Sequence, residues 1–211
     1  MGTSVAQRQF SASVIHNSAV VLIGGYNPVT STVLNTVNAL GGTIYANLPT
    51  AVYDARAVFA AVQPGGSNFF FVFGGYSTFG SLSSLVSSVR RFDVSAKKWT
   101  SPIDLPSGGI RNPYFVTRYR FCSSDAIVVA GGIDSNGQRT LRTDLLLFGA
   151  TASDPLQWVR GPDMIPLPQG LPEGCIQGTM TSQDQLEAYA LCDRSDSPPH
   201  LQRLKLQIED R

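Results

Sequence analysis

The sequence predicts an all-β fold, and three observations predict it. Apolar residues gather in five-residue runs rich in Val, Ile and Phe, namely AVVLI (19–23), FFFVF (69–73) and AIVVA (126–130), each closed by Gly-Gly. Charged residues make up only 15% of the chain, below the roughly 25% of ordinary soluble domains. With abundant Gly, Ser, Thr and Pro, that favours many short strands joined by turns. No segment keeps an apolar period of 3.6 residues over three helical turns.

Composition also bounds function. At 211 residues with 43% apolar content, the chain can bury a sizeable core and reads as one domain spanning 1–211. A formal net charge of +1, with acids and bases interspersed, leaves no electrostatic footprint for nucleic acid or an anionic membrane. The apolar runs fall far short of the ~20 residues that cross a bilayer, so no membrane partner is expected. The first residues, MGTSVAQRQFSASVIHNS, contain no apolar signal core, which favours a cytoplasmic protein; low charge and high Ser/Thr content would equally suit a mature secreted one. Cys122, Cys175 and Cys192 are too few and scattered for a disulfide framework or zinc site. Free thiols are expected, with a Cys175–Cys192 bridge as the alternative.

The elements repeat. The diglycines at 24–25, 74–75 and 131–132 lie 50 and 57 residues apart. The first unit, about 8–55, runs through a strand containing His16, then AVVLIGG, the loop YNPVTST (26–32), a strand in LNTVNAL (34–40), a short Gly41-Gly42-Thr43 turn and Tyr45. The second, about 56–110, has FFFVFGG, the loop YSTFGS (76–81), LVSSVRRF (85–92), a six-residue turn and Trp99. The third, about 111–170, has AIVVAGG, the loop IDSNGQ (133–138), RTDLLLF (142–148) and Trp158. Proline-bearing links follow each aromatic, and Tyr45 is expected to stand where the tryptophan would be. A partial fourth unit over 171–211 reads as strands in CIQGTMT, QLEAYALCD and LQRLKLQ.

An apolar run, Gly-Gly, a polar loop, an aromatic, six residues and Trp resembles the kelch motif, most closely in FVFGGYSTFGSLSSLVSSVRRFDVSAKKWTSPIDLPSGGIR. The resemblance implies a kelch-type β-propeller of about four blades, each of four antiparallel strands. The near-continuous apolar runs agree with strands covered on both faces, and Phe92, Trp99, Phe148 and Trp158 then read as packing between blades. Four blades lie at the low end for propellers. The chain can close as a small ring, with Thr3–Arg8 supplying a strand to the last blade. It can belong to a larger propeller, or it can self-associate if the array is open.

Chemistry is sparse. His16 reads as structural and His200 as a loop residue, and no Cys or carboxylate stands at ligand spacing, so no metal or cofactor is expected. Phosphate-binding glycine motifs and H-E-x-x-H are absent, and GYSTF (75–79) lacks the closing glycine of a nucleophile elbow. Asp134, Asp144, Asp163 and Glu173 read as loop carboxylates rather than an acid/base pair. Two surfaces are candidates for binding. Arg8, Arg56 and Arg111 precede the first strand of their units, and equivalent positions in a propeller would bring them to one channel mouth, suited to carboxylates. The loops after the diglycines, with Tyr26, Asn27, Tyr76, Ser77, Asp134 and Asn136, would all emerge on one face. The expectation is a non-catalytic scaffold for a protein or peptide partner, one with acidic character. The alternatives are a carbohydrate-directed enzyme of galactose-oxidase-like architecture and a fragment of a larger multidomain kelch protein.

Overall fold

The computed structural model describes residues 7–61, 68–121, 124–148, 156–163, 177–182, 187–194 and 197–205. Within them the chain is all-β, with a single turn of 3-10 helix at Leu82–Ser84. Each sequence unit forms its own antiparallel sheet, and strands follow one another as neighbours.

In the first sheet β1 (Ala12–His16) pairs with β2 (Ala19–Ile23); after the small ribbon β3 (Tyr26–Asn27) and β4 (Thr32–Val33), β5 (Val37–Ala39) returns beside β2. The second sheet runs β6 (Arg56–Ala61), β7 (Asn68–Phe73) and β8 (Ser88–Asp93), with β9 (Lys98–Trp99) and β10 (Ile103–Asp104) sharing the far edge of β8. The third is a meander of β11 (Ile110–Phe121), β12 (Ser124–Asp134), β13 (Arg139–Leu147) and β14 (Gln157–Arg160). In the fourth unit β15 (Gln177–Ser182), β16 (Glu187–Arg194) and β17 (Ser197–Lys205) form three strands. The first strands of successive sheets are spatial neighbours: β1 meets β6, β6 meets β11, and β11 meets β15.

The apolar run of β7 explains how the sheets stack. Side chains alternate across a strand, so Phe70 and Val72 enter the core shared with the first sheet, among Val14, Val21 and Ile23. Phe69, Phe71 and Phe73 enter the core shared with the third sheet, among Ile127, Val129 and Leu146. The run is continuous because both of its faces are covered. Trp99 and Trp158 close these two cores from equivalent places. The Trp99 indole donates to Ala46 O at 2.9 Å and the Trp158 indole to Asp104 O at 2.8 Å, each reaching the link of the preceding unit.

Tyr45 departs from the expectation that it replaces a tryptophan. Trp99 packs back onto the preceding sheet, whereas Tyr45 packs forward, edge-on to Phe70 and Phe92 of the following one. The shortened Gly41-Gly42 turn leaves no β9 equivalent. Instead Tyr45 N bonds Val37 O, at the opposite end of β5 from the tryptophan station. Its hydroxyl lies 3.0 Å from His16 Nδ1, and His16 itself packs against Phe59 and Phe70, so that histidine belongs to the core.

The diglycines are the joints between sheets. Gly74 and Gly75 have φ of 62° and 86°, a left-handed region that costs residues with a Cβ. A Cβ on Gly74 would lie 2.6 Å from Arg111 O ahead of the next sheet, and one on Gly75 would lie 2.8 Å from Tyr53 O in the chain entering its own sheet. Gly24 and Gly25 make the same two approaches, to Val52 O and Gln9 O. One glycine admits the neighbouring sheet and the other admits the chain entering the first strand.

Candidate functional site

The joints give every unit a common register. Gln9, Tyr53 and Asn112 carry the carbonyls that crowd Gly25, Gly75 and Gly132, so they are equivalent positions. The next residues are Phe10, Asp54 and Pro113. Phe10 and Asp54 both adopt left-handed backbone, with φ of 53° and 56°. Such a conformation is uncommon outside glycine and strained for a bulky aromatic. It turns both side chains outward at the end of the sheets where the diglycine loops emerge, and Asp54 N donates to Phe10 O at 2.8 Å.

Around these residues an aromatic band crosses the first two sheets. Tyr26, directly after Gly25, stacks on Phe79 of the second loop with ring centroids 3.9 Å apart and planes inclined by 15°. Phe79 also meets Tyr53 at 5.2 Å, Tyr53 meets Tyr76 at 5.7 Å, and Phe10 lies edge-on to Tyr53 at 6.4 Å. Phe10 and Phe79 are each about half exposed, while Tyr76 is buried beneath them. The loop bearing Phe79 is pinned to the band, because the Tyr53 hydroxyl accepts the Gly80 N–H at 3.2 Å. Ser84 braces the same loop through Thr78 and Ser81.

A polar seam borders the band toward the third sheet. Buried Asn112 accepts the Gly75 N–H on Oδ1 at 3.1 Å, and its Nδ2 lies 3.5 Å from Asp54 Oδ2. Its amide also hydrogen-bonds Tyr76, whose phenol is pushed up by burial and partly held down by that bond. Asp54 Oδ1 pairs with Arg56 Nη1 at 3.1 Å. Arg56 Nε donates to Tyr114 O, and the Tyr114 phenol is raised by burial against the opposing charge of Arg139. Both phenols, Tyr76 and Tyr114, are therefore neutral at physiological pH.

The predicted site residues divide clearly. Tyr26 and Tyr76 join the band. Asn27, Ser77 and Asp134 shape their own loops: Asn27 Oδ1 accepts from Val29 and Thr30, Ser77 donates to Ser84 O, and Asp134 Oδ1 accepts the Asn136 and Gln138 amides. Asn136 is exposed at the tip of the third loop.

The three arginines occupy two different rungs. Arg56 faces Phe73, the residue before Gly74; Ala12 faces Ile23 and Phe115 faces Ala130 at the same station. Arg8 and Arg111 each stand four residues before that station, where the second unit has Val52. The links differ in length and β11 is bulged between Ile110 and Asn112, so an arginine after Leu-Pro does not fall on one rung. Arg8 binds Gly24 O, Thr36 Oγ1 and Asn38 Oδ1, and burial lowers its pKa. Arg111 donates to Ser87 O.

Phe10, Tyr53, Asp54 and Asn112 escaped the sequence reading, and Phe79 entered it only as part of the loop YSTFGS. A signal for two of them existed in the pair Tyr53-Asp54 ahead of a strand. Of the carboxylates considered for chemistry, Asp144 is held by Arg142 at 2.8 Å, Asp163 pairs with Arg160, and Glu173 lies outside the described residues. The side chains of the three cysteines and His200 lie outside them as well. Among the described residues no three His, Cys, Asp or Glu gather to hold a metal ion, and no helix is long and apolar enough to cross a membrane. The chain matches no family model, and comparison with curated proteins gives no match.

Proposed function

We propose that the chain is a kelch-type propeller array acting as a non-catalytic binding module, which takes a protein or peptide segment across the loop end of its first two sheets. The observation that carries this reading is the aromatic band of Phe10, Tyr26, Tyr53 and Phe79, with Phe10 and Phe79 half exposed, built by residues of two units and braced from below. Aromatic side chains offer large, rigid contact area at low entropic cost, and Tyr hydroxyls add direction. The kelch assignment is supported by the repeated diglycine joints, the repeated indole-to-link bonds and the succession of first strands. Arg56 borders the band through its pair with Asp54, so an acidic residue in the bound segment would meet a guanidinium at its margin.

Selection from a displayed random-peptide library tests the reading. Selected peptides should bind the wild-type chain and lose at least tenfold in affinity on Phe79→Ser and on Tyr26→Ser, with the fold retained in both variants. Peptides that bind the two variants as well as wild type would place the interaction elsewhere. If a glycan array gives ligands sensitive to Phe79→Ser and the peptide library gives none, the surface belongs to carbohydrate recognition.

A further inference from the structure

The third loop carries a reactive peptide link. Asn136 is the only asparagine of the chain that glycine follows, and both residues are exposed at the loop tip. Ser135, Asn136 and Gly137 form a three-residue hairpin loop between β12 and β13. Gly137 N donates to Asp134 O at 3.2 Å, Asp134 N donates to Gln138 O at 2.9 Å, and Gly137 has φ of 76°. A hairpin of this length ends in a left-handed residue, which selects glycine. The turn therefore demands Gly137. It makes no such demand of the Asn136 side chain, which has no hydrogen-bond partner among the described residues.

An asparagine amide is an electrophile within reach of the next backbone nitrogen. On losing its proton, the Gly137 nitrogen can add to Asn136 Cγ and close a five-membered ring. The Cγ–Nδ2 bond then breaks and ammonia leaves. Water opens the resulting succinimide at either carbonyl, giving aspartate, or isoaspartate in which the main chain runs through Cβ and Cγ. Nothing is oxidised or reduced, and water is the only co-reactant. Access to the attacking nitrogen limits the first step. Gly137 has no Cβ to obstruct it, and no atom stands within 4 Å of where a Cβ would be. The other asparagines are hindered. Asn27 and Asn112 precede prolines, which have no N–H, and Asn17, Asn35, Asn38, Asn47 and Asn68 precede residues that carry a Cβ. Asp134 restrains the loop: its Oδ1 accepts the Asn136 and Gln138 amides at 2.8 and 2.9 Å, on either side of the reacting nitrogen. The Gly137 N–H itself has only the longer bond to Asp134 O.

From these features we infer that Asn136 is a self-modification site, at which the chain deamidates through a succinimide, and that Asp134 sets the pace by clamping the loop. The change puts a carboxylate where the third loop had a neutral amide, and it stands apart from the binding reading. Purified chain is held at body temperature at several mildly alkaline pH values, and the segment between Arg120 and Arg139 is followed by peptide mapping with mass spectrometry. Asn136 should decay to a mixture of aspartate and isoaspartate, faster as hydroxide rises, and ahead of Asn17 in the exposed β1–β2 turn. In water labelled with heavy oxygen, both products should carry one label. Gly137→Ala, at an open site, should slow the decay severalfold, and Asp134→Ala should quicken it severalfold. An Asn136 that outlasts Asn17, unlabelled products, or equal decay in Gly137→Ala would overturn the site. An unchanged rate in Asp134→Ala would overturn the clamp. If Gly137→Ala loses the fold, the label and the comparison with Asn17, both read on the wild-type chain, decide the matter.

Discussion

Arg90 is the least comfortable residue of the described structure, and removing its charge should stabilise the protein. It lies on β8 opposite Val72, on the face that packs against the first sheet, and only 5% of it is exposed. Its Nη1 finds no acceptor. The equivalent rung in the neighbouring sheets holds Asn38, bound to Arg8, and Asp144, bound to Arg142. Burial accordingly lowers the Arg90 guanidinium to about 10. Against the ordinary guanidinium value, and at ~1.4 kcal/mol per pH unit, that is a cost of about 3 kcal/mol to the folded state.

Arg90→Met keeps most of the aliphatic stem and discards the charge. Replacement of buried charge by packed apolar groups is often neutral to stabilising. The midpoint of chemical denaturation should rise by the equivalent of about 2–3 kcal/mol, and the melting temperature by roughly 4–12 °C for a chain of this size. The pH dependence has a definite sign. Because the folded value lies below the unfolded one, the penalty is complete below about pH 10 and fades only above it. The advantage of Arg90→Met should therefore stay level between about pH 6 and 9. A variant less stable than wild type would refute the reasoning, because it would mean that the guanidinium is compensated inside the interface.

Other consequences concern the joints and the indoles. Gly74→Ala forces a Cβ within 2.6 Å of Arg111 O at a left-handed φ and should cost well over 2 kcal/mol in denaturant midpoint; Gly80→Ala, with φ of 76° but open space, should cost only about 1. Trp99→Phe and Trp158→Phe each remove one indole donor to a link carbonyl and should each cost about 1–2 kcal/mol, read from thermal melts. Asn112→Ala strands the buried Gly75 N–H and should cost about 1–3 kcal/mol. Asn112→Asp instead sets a second carboxylate beside Asp54. Its folded-state pKa would be raised, so stability present at low pH should be lost as pH climbs above the ordinary carboxylate value of ~4, a trend visible in urea midpoints at several pH values.

What could be read from the sequence follows from what is periodic. The runs at 69–73 and 126–130 are continuous because both faces of each strand are buried, and the diglycines repeat because every joint needs the same close approach. Those constraints act on the residue itself, so composition and spacing reveal them. The misplaced rung of Arg56 has the opposite origin. A link can lengthen and a strand can bulge at little cost on the surface, so distance along the chain stops reporting position in the sheet. Tyr45 departs from the repeat for a related reason: an aromatic after a strand identifies a side chain that will be buried, not the face on which it is buried.

The rest of the candidate site is hidden from the sequence because it is made of the positions where the units disagree. At the rung that crowds the second glycine the three units carry Gln9, Tyr53 and Asn112, and at the next they carry Phe10, Asp54 and Pro113. The backbone demands of the joint are met by carbonyls, which every residue supplies, so the side chains there are released from the repeat. Two of them, Tyr53 and Phe10, build the aromatic band, and two others, Asp54 and Asn112, hold the seam beside it. A repeat thus separates its own roles: glycine and tryptophan recur where sheets must touch, and the variable residues between them sit on a rigid frame at the end where a partner can reach them.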